Sequence, residues 1–305
     1  MAKIAYKSSN FKPKSLKLIK QCNVIIEDYL SKGFKLTLRQ LYYQLVTRNL
    51  IENSELSYKR LGGLVGNARM CGLIDWEAIE DRTRNVRNLT TWENPVLMMD
   101  YATNVYRLDP WENQPYRPEI WIEKSALESI IVRTAYAYQV PLLSCRGYSS
   151  LSEEWEAAQR MTGWLQNGQE PIILYLGDHD PSGMDMSRDH NDRLETFMGG
   201  VEIRRLALNF DQVQAYNPPP NPAKIKDTRF DKYQEEFGYY CWELDALPPD
   251  VLTGIVENAI VELIDIKPWQ EQKRWEKIGK NKLKAVLDNW HDIMEWLGEE
   301  DDNDN

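Results

Sequence analysis

Residues 171–183 read PIILYLGDHDPSG, and the fold turns on how this stretch is taken. Ile172, Ile173, Leu174, Tyr175 and Leu176 form a short apolar run bounded by Pro171 and Gly177. Such a run fits a strand covered on both faces, the usual form in a parallel sheet. Asp178 and Asp180 follow at once, separated by His179. While the chain stays extended, alternation aims both carboxylates to one side. Pro181, Ser182 and Gly183 then turn it into the next segment. Open α/β sheets bind ligands at the carboxyl ends of their strands, where this pair stands. Two carboxylates so close repel unless they share a cation or a proton. An oxygen-only donor set suggests a divalent metal, most naturally magnesium. An Asp-rich turn that merely caps the next helix has the same sequence, so both readings stand here.

Outward from that stretch, strands and helices alternate. Residues 120–122 read as a brief strand ended by Glu123, 125–138 as a helix and 140–144 as a strand. Residues 146–148 make a turn, 152–166 an amphipathic helix, 184–197 a further helix and 201–208 the next strand. This alternation is the signature of a parallel α/β sheet. In it Glu123 ends its strand on the same edge as Asp178 and Asp180. That adds a third carboxylate, for a metal or as a general acid or base.

The N-terminal part has another character. Residues 1–13 read as a polar, mobile, lysine-bearing arm. A helix over 15–29 ends at Gly33. A second starts at Thr37 with Gln40 completing a capping box and runs to about Leu50. A third covers residues 55–70 and carries Lys59, Arg60 and Arg69. With the segment 74–87 and its Arg82, Arg84 and Arg87, these helices fit a helix-turn-helix module with a wing. A plain three-helix bundle has the same periodicity. Leu38, Leu41, Tyr42, Leu45 and Val46 fall on the buried stripe of the second helix. Tyr43 is turned about 100° away and shares its side with Arg39 and Thr47. A tyrosine there packs, stacks on a base, or attacks phosphorus.

Charge divides the chain along the same line. The 305 residues carry a net −10, yet residues 1–70 hold 13 Lys and Arg against 4 Asp and Glu. A basic part on an acidic body suggests that Lys35, Arg39, Lys59, Arg60, Arg69, Arg82, Arg84 and Arg87 face nucleic-acid phosphate. A solvated basic face with no partner is the plainer account. Hydrophobic content of 42% and charged content of 28% fit a soluble globular chain of two domains. No apolar run is long enough to span a bilayer and no signal-peptide pattern opens the chain. Four scattered cysteines and three histidines argue against structural zinc or disulfides, which points to a reducing, cytoplasmic compartment. No phosphate-cradling glycine motif is present, so no nucleotide site is expected.

Residues 217–222, NPPPNP, read as a rigid extended connector. Residues 240–247, YCWELDAL, read more simply as a helix start than as an addition of Glu243 and Asp245 to the acidic site. Residues 249–265 and 268–297 look helical. The expected division is 1–90 helical and DNA-binding, 91–117 one short helix and a linker, 118–297 the α/β domain with its C-terminal helical extension, and 298–305 an acidic tail.

Four of these segments, in order, resemble the A subunit of topoisomerase VI and its relative, the transesterase of meiotic double-strand breaks. TLRQLYYQLV is similar to that family's R-x-x-Y-Y helix in a winged-helix domain. Trp121-Ile122-Glu123-Lys124 resembles the glutamate strand of its Toprim domain, and LGDHDPSG its D-x-D-P-x-G turn. CRGYSSLSEEWEAAQR is similar to its K-G-Y-P-D-x-A-T-R segment but lacks the Pro-Asp pair and the arginine. The resemblance implies a winged-helix domain followed by a Toprim domain. It implies Tyr43 as the nucleophile forming a 5′-phosphotyrosine link to double-stranded DNA, with Arg39 steadying the phosphate. It implies Glu123, Asp178 and Asp180 as magnesium ligands. In that family the tyrosine of one subunit meets the metal site of its partner, which implies a homodimer. The reduced, stand-alone A-like proteins of phages and plasmids lack an evident ATPase B subunit. Two other outcomes therefore stay open: a DNA-binding or bridging dimer that does not cleave, and a Toprim nuclease in which water attacks.

Overall fold

The computed structural model describes residues 3–79, 89–223 and 227–298. Helices α1 (Pro13–Ser31), α2 (Leu38–Thr47), α3 (Glu55–Met70) and α4 (Pro95–Val105) precede strand β1 (Tyr116–Ile122). Then come α5 (Glu128–Ala137), β2 (Leu142–Ser144), α6 (Leu151–Gln166), β3 (Glu170–Leu176), α7 (Pro181–Met198), β4 (Glu202–Ala207) and α8 (Phe210–Tyr216). A two-residue β5 (Asn221–Pro222), α9 (Phe230–Phe237) and β6 (Tyr240–Cys241) lead to α10 (Pro249–Glu262), α11 (Ile266–Asp288) and α12 (Trp290–Leu297). The chain forms two compact units, residues 1–84 with 118–262 and residues 85–117 with 263–305.

The larger unit is built on a four-stranded parallel sheet in the order β2-β1-β3-β4. Ile120 pairs with Leu142 and Ile173 with Ile203, which places β3 inside the sheet. Ile172, Ile173, Leu174, Tyr175 and Leu176 are all buried, as an interior strand with covered faces requires. Helices α6 and α7 pack on the face carrying Trp121, Ile173 and Tyr175, through Ala157, Ala158, Met161, Met186 and Leu194. Helices α5 and α10 pack together and against β2 and β4. The strand and helix assignments made over 120–208 agree with these elements to within a few residues.

In the same unit, α1 to α3 close a separate core. Ile19, Cys22, Ile25, Ile26 and Tyr29 meet Leu41, Tyr42, Leu45, Leu61 and Val65. The capping box of α2 forms as expected, with the Thr37 amide donating to Gln40 Oε1 at 2.8 Å. One expectation changes. Residues 4–7 are docked rather than mobile: the amides of Tyr6 and Lys7 donate to the Met70 carbonyl, and Trp76 Nε1 donates to the Ile4 carbonyl. The carbonyls at the end of α3 need donors, and the arm supplies them. After α3, residues 71–79 form turns with isolated bridges to Ala5 and Leu36. Arg82, Arg84 and Arg87, assigned to a wing, lie outside the described residues, as does the acidic tail.

The smaller unit pairs α4 with α11. Trp111 meets Trp269 edge-on at 5.3 Å, and Gln114 clasps Asp265 through two hydrogen bonds of 2.9 and 2.7 Å. The short helix expected within 91–117 is α4. Its segment shares a unit with the C-terminal helices through long-range packing, which local composition does not show.

The turn after β3 is crowded. A side chain at Gly183 would run into the Asp178 carbonyl oxygen, so only glycine lets the first turn of α7 approach the strand end. Gly183→Ala is expected to cost about 3 kcal/mol, read as a lower urea midpoint with unchanged slope. A midpoint equal to that of the native chain would mean the turn relaxes freely.

Candidate active site

Beyond β3 the chain stays extended for two more residues. His179 exchanges two backbone hydrogen bonds with Trp242, at 2.8 and 2.9 Å. Alternation then separates the three side chains, as the sequence predicts. Asp178 and Asp180 line one cavity of about 570 Å³. His179 turns the other way, against Phe210, Tyr233, Phe237 and Trp242, with Nδ1 2.7 Å from the Tyr233 hydroxyl. Burial pushes its pKa down to about 4, so it is a neutral packing residue. Asp180 caps α7, its Oδ1 accepting from the Gly183 amide at 2.6 Å. The capping account of the motif therefore describes Asp180, although the same carboxylate also faces the cavity.

Asp178 has a different role. Its Oδ1 accepts from the Leu244 amide at 2.8 Å and its Oδ2 lies 2.8 Å from Lys124 Nζ. Its own amide donates to Glu123 Oε2 at 2.8 Å, which ties the ends of β1 and β3 together. Arg205, from β4, holds the turn from beneath by donating to the Asp178 and Gly177 carbonyls at 2.6 and 3.1 Å.

Tyr43 and Arg39 line the same cavity as these acids. Arg39 pairs with Glu243, and its Nε lies 2.7 Å from Asp245 Oδ2. Its guanidinium also sits 5.8 Å from the centre of the Tyr43 ring. Lys124 reaches Glu243 at 2.9 Å and Asp245 at 3.2 Å besides Asp178. Two cations thus serve three carboxylates, with Glu123 and Asp180 alongside. Burial alone would lower the Lys124 pKa, but Asp245 and Asp178 outweigh it and the amine is held charged.

Of the outcomes open for Tyr43, packing is the one this network bears out. Its side is covered: Tyr43 and Tyr42 are equally buried. The cover is the short 3₁₀ turn Leu244–Ala246, whose Ala246 joins the helical core, together with Asn221. Burial first, then Asp245, raises the Tyr43 hydroxyl above the ordinary tyrosine range. Glu243 and Asp245, set aside as an ordinary helix start, belong to the site.

No protein-family model and no curated protein matches this chain.

The residues themselves therefore carry the functional argument. Arg39, Tyr43, Glu123, Asp178 and Asp180 meet at one cavity. Among the described residues, no group of three or more His, Cys, Asp or Glu side chains closes on a common point as a metal site. The expected phosphate-facing cations fare unequally. Lys35 and Arg60 are exposed, whereas Lys59 pairs with Glu55 at 2.6 Å. Arg69 donates to the Trp76 and Ile79 carbonyls and lies over the Trp76 ring, so it serves the module's own packing. Lys124, Asn221 and Arg205 were given no role from sequence. The one available signal was Lys124, a cation directly after a strand-ending glutamate.

Glu123 is pushed up from 4.5 to about 7, by burial first and then by Asp178. Between those two values the native state holds a proton that the unfolded chain has released. Stability therefore falls as pH rises through this window and levels off above it. In chelator, Glu123→Gln should flatten that fall and stabilise the protein at alkaline pH by on the order of 3 kcal/mol. Urea unfolding on both sides of the window tests this, and an unchanged slope would refute it.

Proposed function

We propose that this protein is a DNA-processing enzyme of the topoisomerase VI A type, transferring a DNA phosphoryl group to Tyr43. The observation that supports this most is the meeting of Tyr43, Arg39, Lys124 and the three strand-end carboxylates at one cavity. In this reading α1 to α3 are the winged-helix part and the sheet is the Toprim part. The tyrosyl oxygen bonds to phosphorus, the bond from phosphorus to the 3′ oxygen breaks, and the departing 3′ oxygen takes a proton from solvent to leave as a hydroxyl. The Tyr43 proton must go to a base, because burial keeps that hydroxyl protonated at neutral pH. Glu123, which lines the same cavity, is the carboxylate this reading assigns as the base. Arg39, held at the Tyr43 ring by Asp245 and Glu243, steadies charge on the phosphate.

The donor chemistry fits magnesium: the ligands are all oxygens, and the carboxylates outnumber the paired cations Arg39 and Lys124. Glu123, Asp178 and Asp180 are the residues that would hold it. The ion would neutralise charge on the scissile phosphate. A homodimer on duplex DNA is what the resemblance implies, a separate ATPase subunit stays open, and the scattered cysteines point to a reducing, cytoplasmic setting. In the resembled family the tyrosine and the metal site that meet belong to different subunits, whereas here Tyr43 and the acids of the same chain line one cavity. Among the described residues no helix is long and apolar enough to cross a membrane.

The test is incubation with supercoiled DNA and magnesium, followed by denaturant and protease. Protease-sensitive retention of DNA is the expected result. One observation favours a second reading, a DNA-binding or bridging protein that does not cleave. Both Asp178 oxygens are already engaged, and Arg39 and Lys124 already neutralise Glu243 and Asp245. Salt-sensitive binding with no adduct would select it. Free 5′ ends without adduct would select attack by water.

A further inference from the structure

A cavity larger than the acidic one also lies in the unit of residues 1–84 and 118–262. It is a groove of about 1120 Å³ between α1, the start of α3 and the proline segment after α8. Lys14 and Lys17, three residues apart on α1, share one helical face, and Arg60 on α3 lines the same groove. A second cavity of about 540 Å³ shares Lys14 and Arg60 and adds Lys12. All four cations are exposed, and among the described residues no carboxylate pairs with any of them. Glu52 is the acidic residue of the groove lining. This concentration of free positive charge belongs to a chain whose net charge is −10.

The groove leads to the Tyr43 cavity. Asn53 lines both. Its amide nitrogen donates to the Pro220 carbonyl at 3.1 Å and to Asn221 Oδ1 at 2.8 Å, while its oxygen accepts from the Tyr42 hydroxyl at 2.9 Å. Asn221 in turn donates to Glu243 Oε1 at 3.3 Å. Pro218, Pro219 and Pro220 line the groove, and Asn221 and Pro222 line the Tyr43 cavity. The segment is anchored by the β5–β6 pairing, so its shape is set before any ligand arrives.

We propose that this groove is the track for a nucleic-acid backbone, leading it along α1 and past the proline strap to the Tyr43 cavity. The proposal rests on the nucleic-acid reading above and names the surface that reading lacked. Lysine and arginine mixed with amide and hydroxyl donors such as Gln21, Asn49 and Ser57 is the lining that phosphate oxygens take. No aromatic side chain lines the larger groove, so bases have nothing to stack on and binding should be independent of sequence.

The experiment is fluorescence anisotropy of a labelled duplex with the full chain at several salt concentrations. The variant is the triple change Lys14→Gln, Lys17→Gln, Arg60→Gln, made at exposed positions; Lys59→Gln is the control for a basic residue outside the groove. Each lost phosphate contact removes about 0.9 from the slope of log affinity against log salt, so three should remove roughly 2–3. Affinity at low salt should fall at least about tenfold, and Lys59→Gln should leave it nearly unchanged. Equal affinity and slope for native and triple variant would overturn the groove alone, leaving adduct formation to judge the chemistry. Absence of duplex binding by the native chain would overturn the groove and the nucleic-acid reading together. Polyglutamate bound as tightly as duplex, and lost in the triple variant, would assign the groove to an acidic protein instead. Adducts missing from a native chain that binds through this groove would sink only the transfer chemistry.

Discussion

Tyr43→Phe should form no covalent protein–DNA adduct while binding duplex DNA as tightly as the native chain. Removing one oxygen removes the nucleophile, and the neighbouring Tyr42 hydroxyl is already engaged by Asn53 and Ser54. The loss should exceed about 10³-fold, since mutation of an attacking residue leaves only what positioning and charge provide. The structural cost should be small: the ring keeps its packing beside Tyr42, and the lost partner is Asn221. One hydrogen bond of that kind contributes about 1 kcal/mol, so the variant should stay folded at room temperature. Adducts that persist in Tyr43→Phe would remove Tyr43 from the chemistry. Cleavage that persists without adducts would hand the attack to water.

The second large effect is expected at Lys124. Its amine lies within 3.2 Å of oxygens of Asp178, Glu243 and Asp245, and Asp245 is almost wholly buried. Lys124→Met keeps much of the stem and removes the charge. It leaves Arg39 alone to answer three carboxylates. Breaking a buried ion pair from one side costs about 3–5 kcal/mol. For a unit of this size that lowers the melting temperature by roughly 10 °C, measured in chelator. The same variant tests the metal without any assay of activity. If Glu123, Asp178 and Asp180 take magnesium, millimolar magnesium should restore part of the loss and stabilise the variant more than the native chain. Equal response of the two proteins would remove magnesium from the proposal. A melting temperature unchanged by the mutation would mean that the carboxylates are better solvated than their burial implies.

The two expectations are linked through α2. Arg39 stands one helical turn before Tyr43 and is gripped by Asp245 and Glu243 from the far end of the chain. Removing Lys124 leaves those carboxylates to Arg39 and should therefore disturb the setting of Tyr43 as well as the fold. The pH response of Glu123 and the crowding at Gly183 concern the other wall of the cavity, where β1 and β3 end.

Much of this was legible in the residues alone, for local reasons. The apolar run 172–176 can only be a strand with both faces covered, and it is the interior strand β3. Thr37 and Gln40 mark the start of α2 because a capping box closes within four residues. Asp178 and Asp180 share a side because extended backbone alternates, and His179 fills the opposite side for the same reason. Glu123 joins them because parallel strands end on one edge. Each of these inferences needs only the geometry of one element or of one sheet.

What the sequence could not decide was what covers what. Tyr43 looked turned away from the core because α2 has an open face in a three-helix bundle, and a turn some 200 residues later closes it. Glu243 and Asp245 read as a helix start because nothing nearby shows that Arg39 and Lys124 wait for them. Arg69 and Lys59 counted as phosphate-facing charges, yet one is spent on backbone carbonyls and the other on Glu55. The groove of Lys14, Lys17 and Arg60 went unseen because its walls come from α1, α3 and a proline segment far along the chain. Periodicity and strand-end position are encoded over a few residues, so sequence determined the elements and the edge on which the acids lie. Ion pairing, burial and cavities are made by residues distant in sequence, so only tertiary structure decided which charges were neutralised and which remained free.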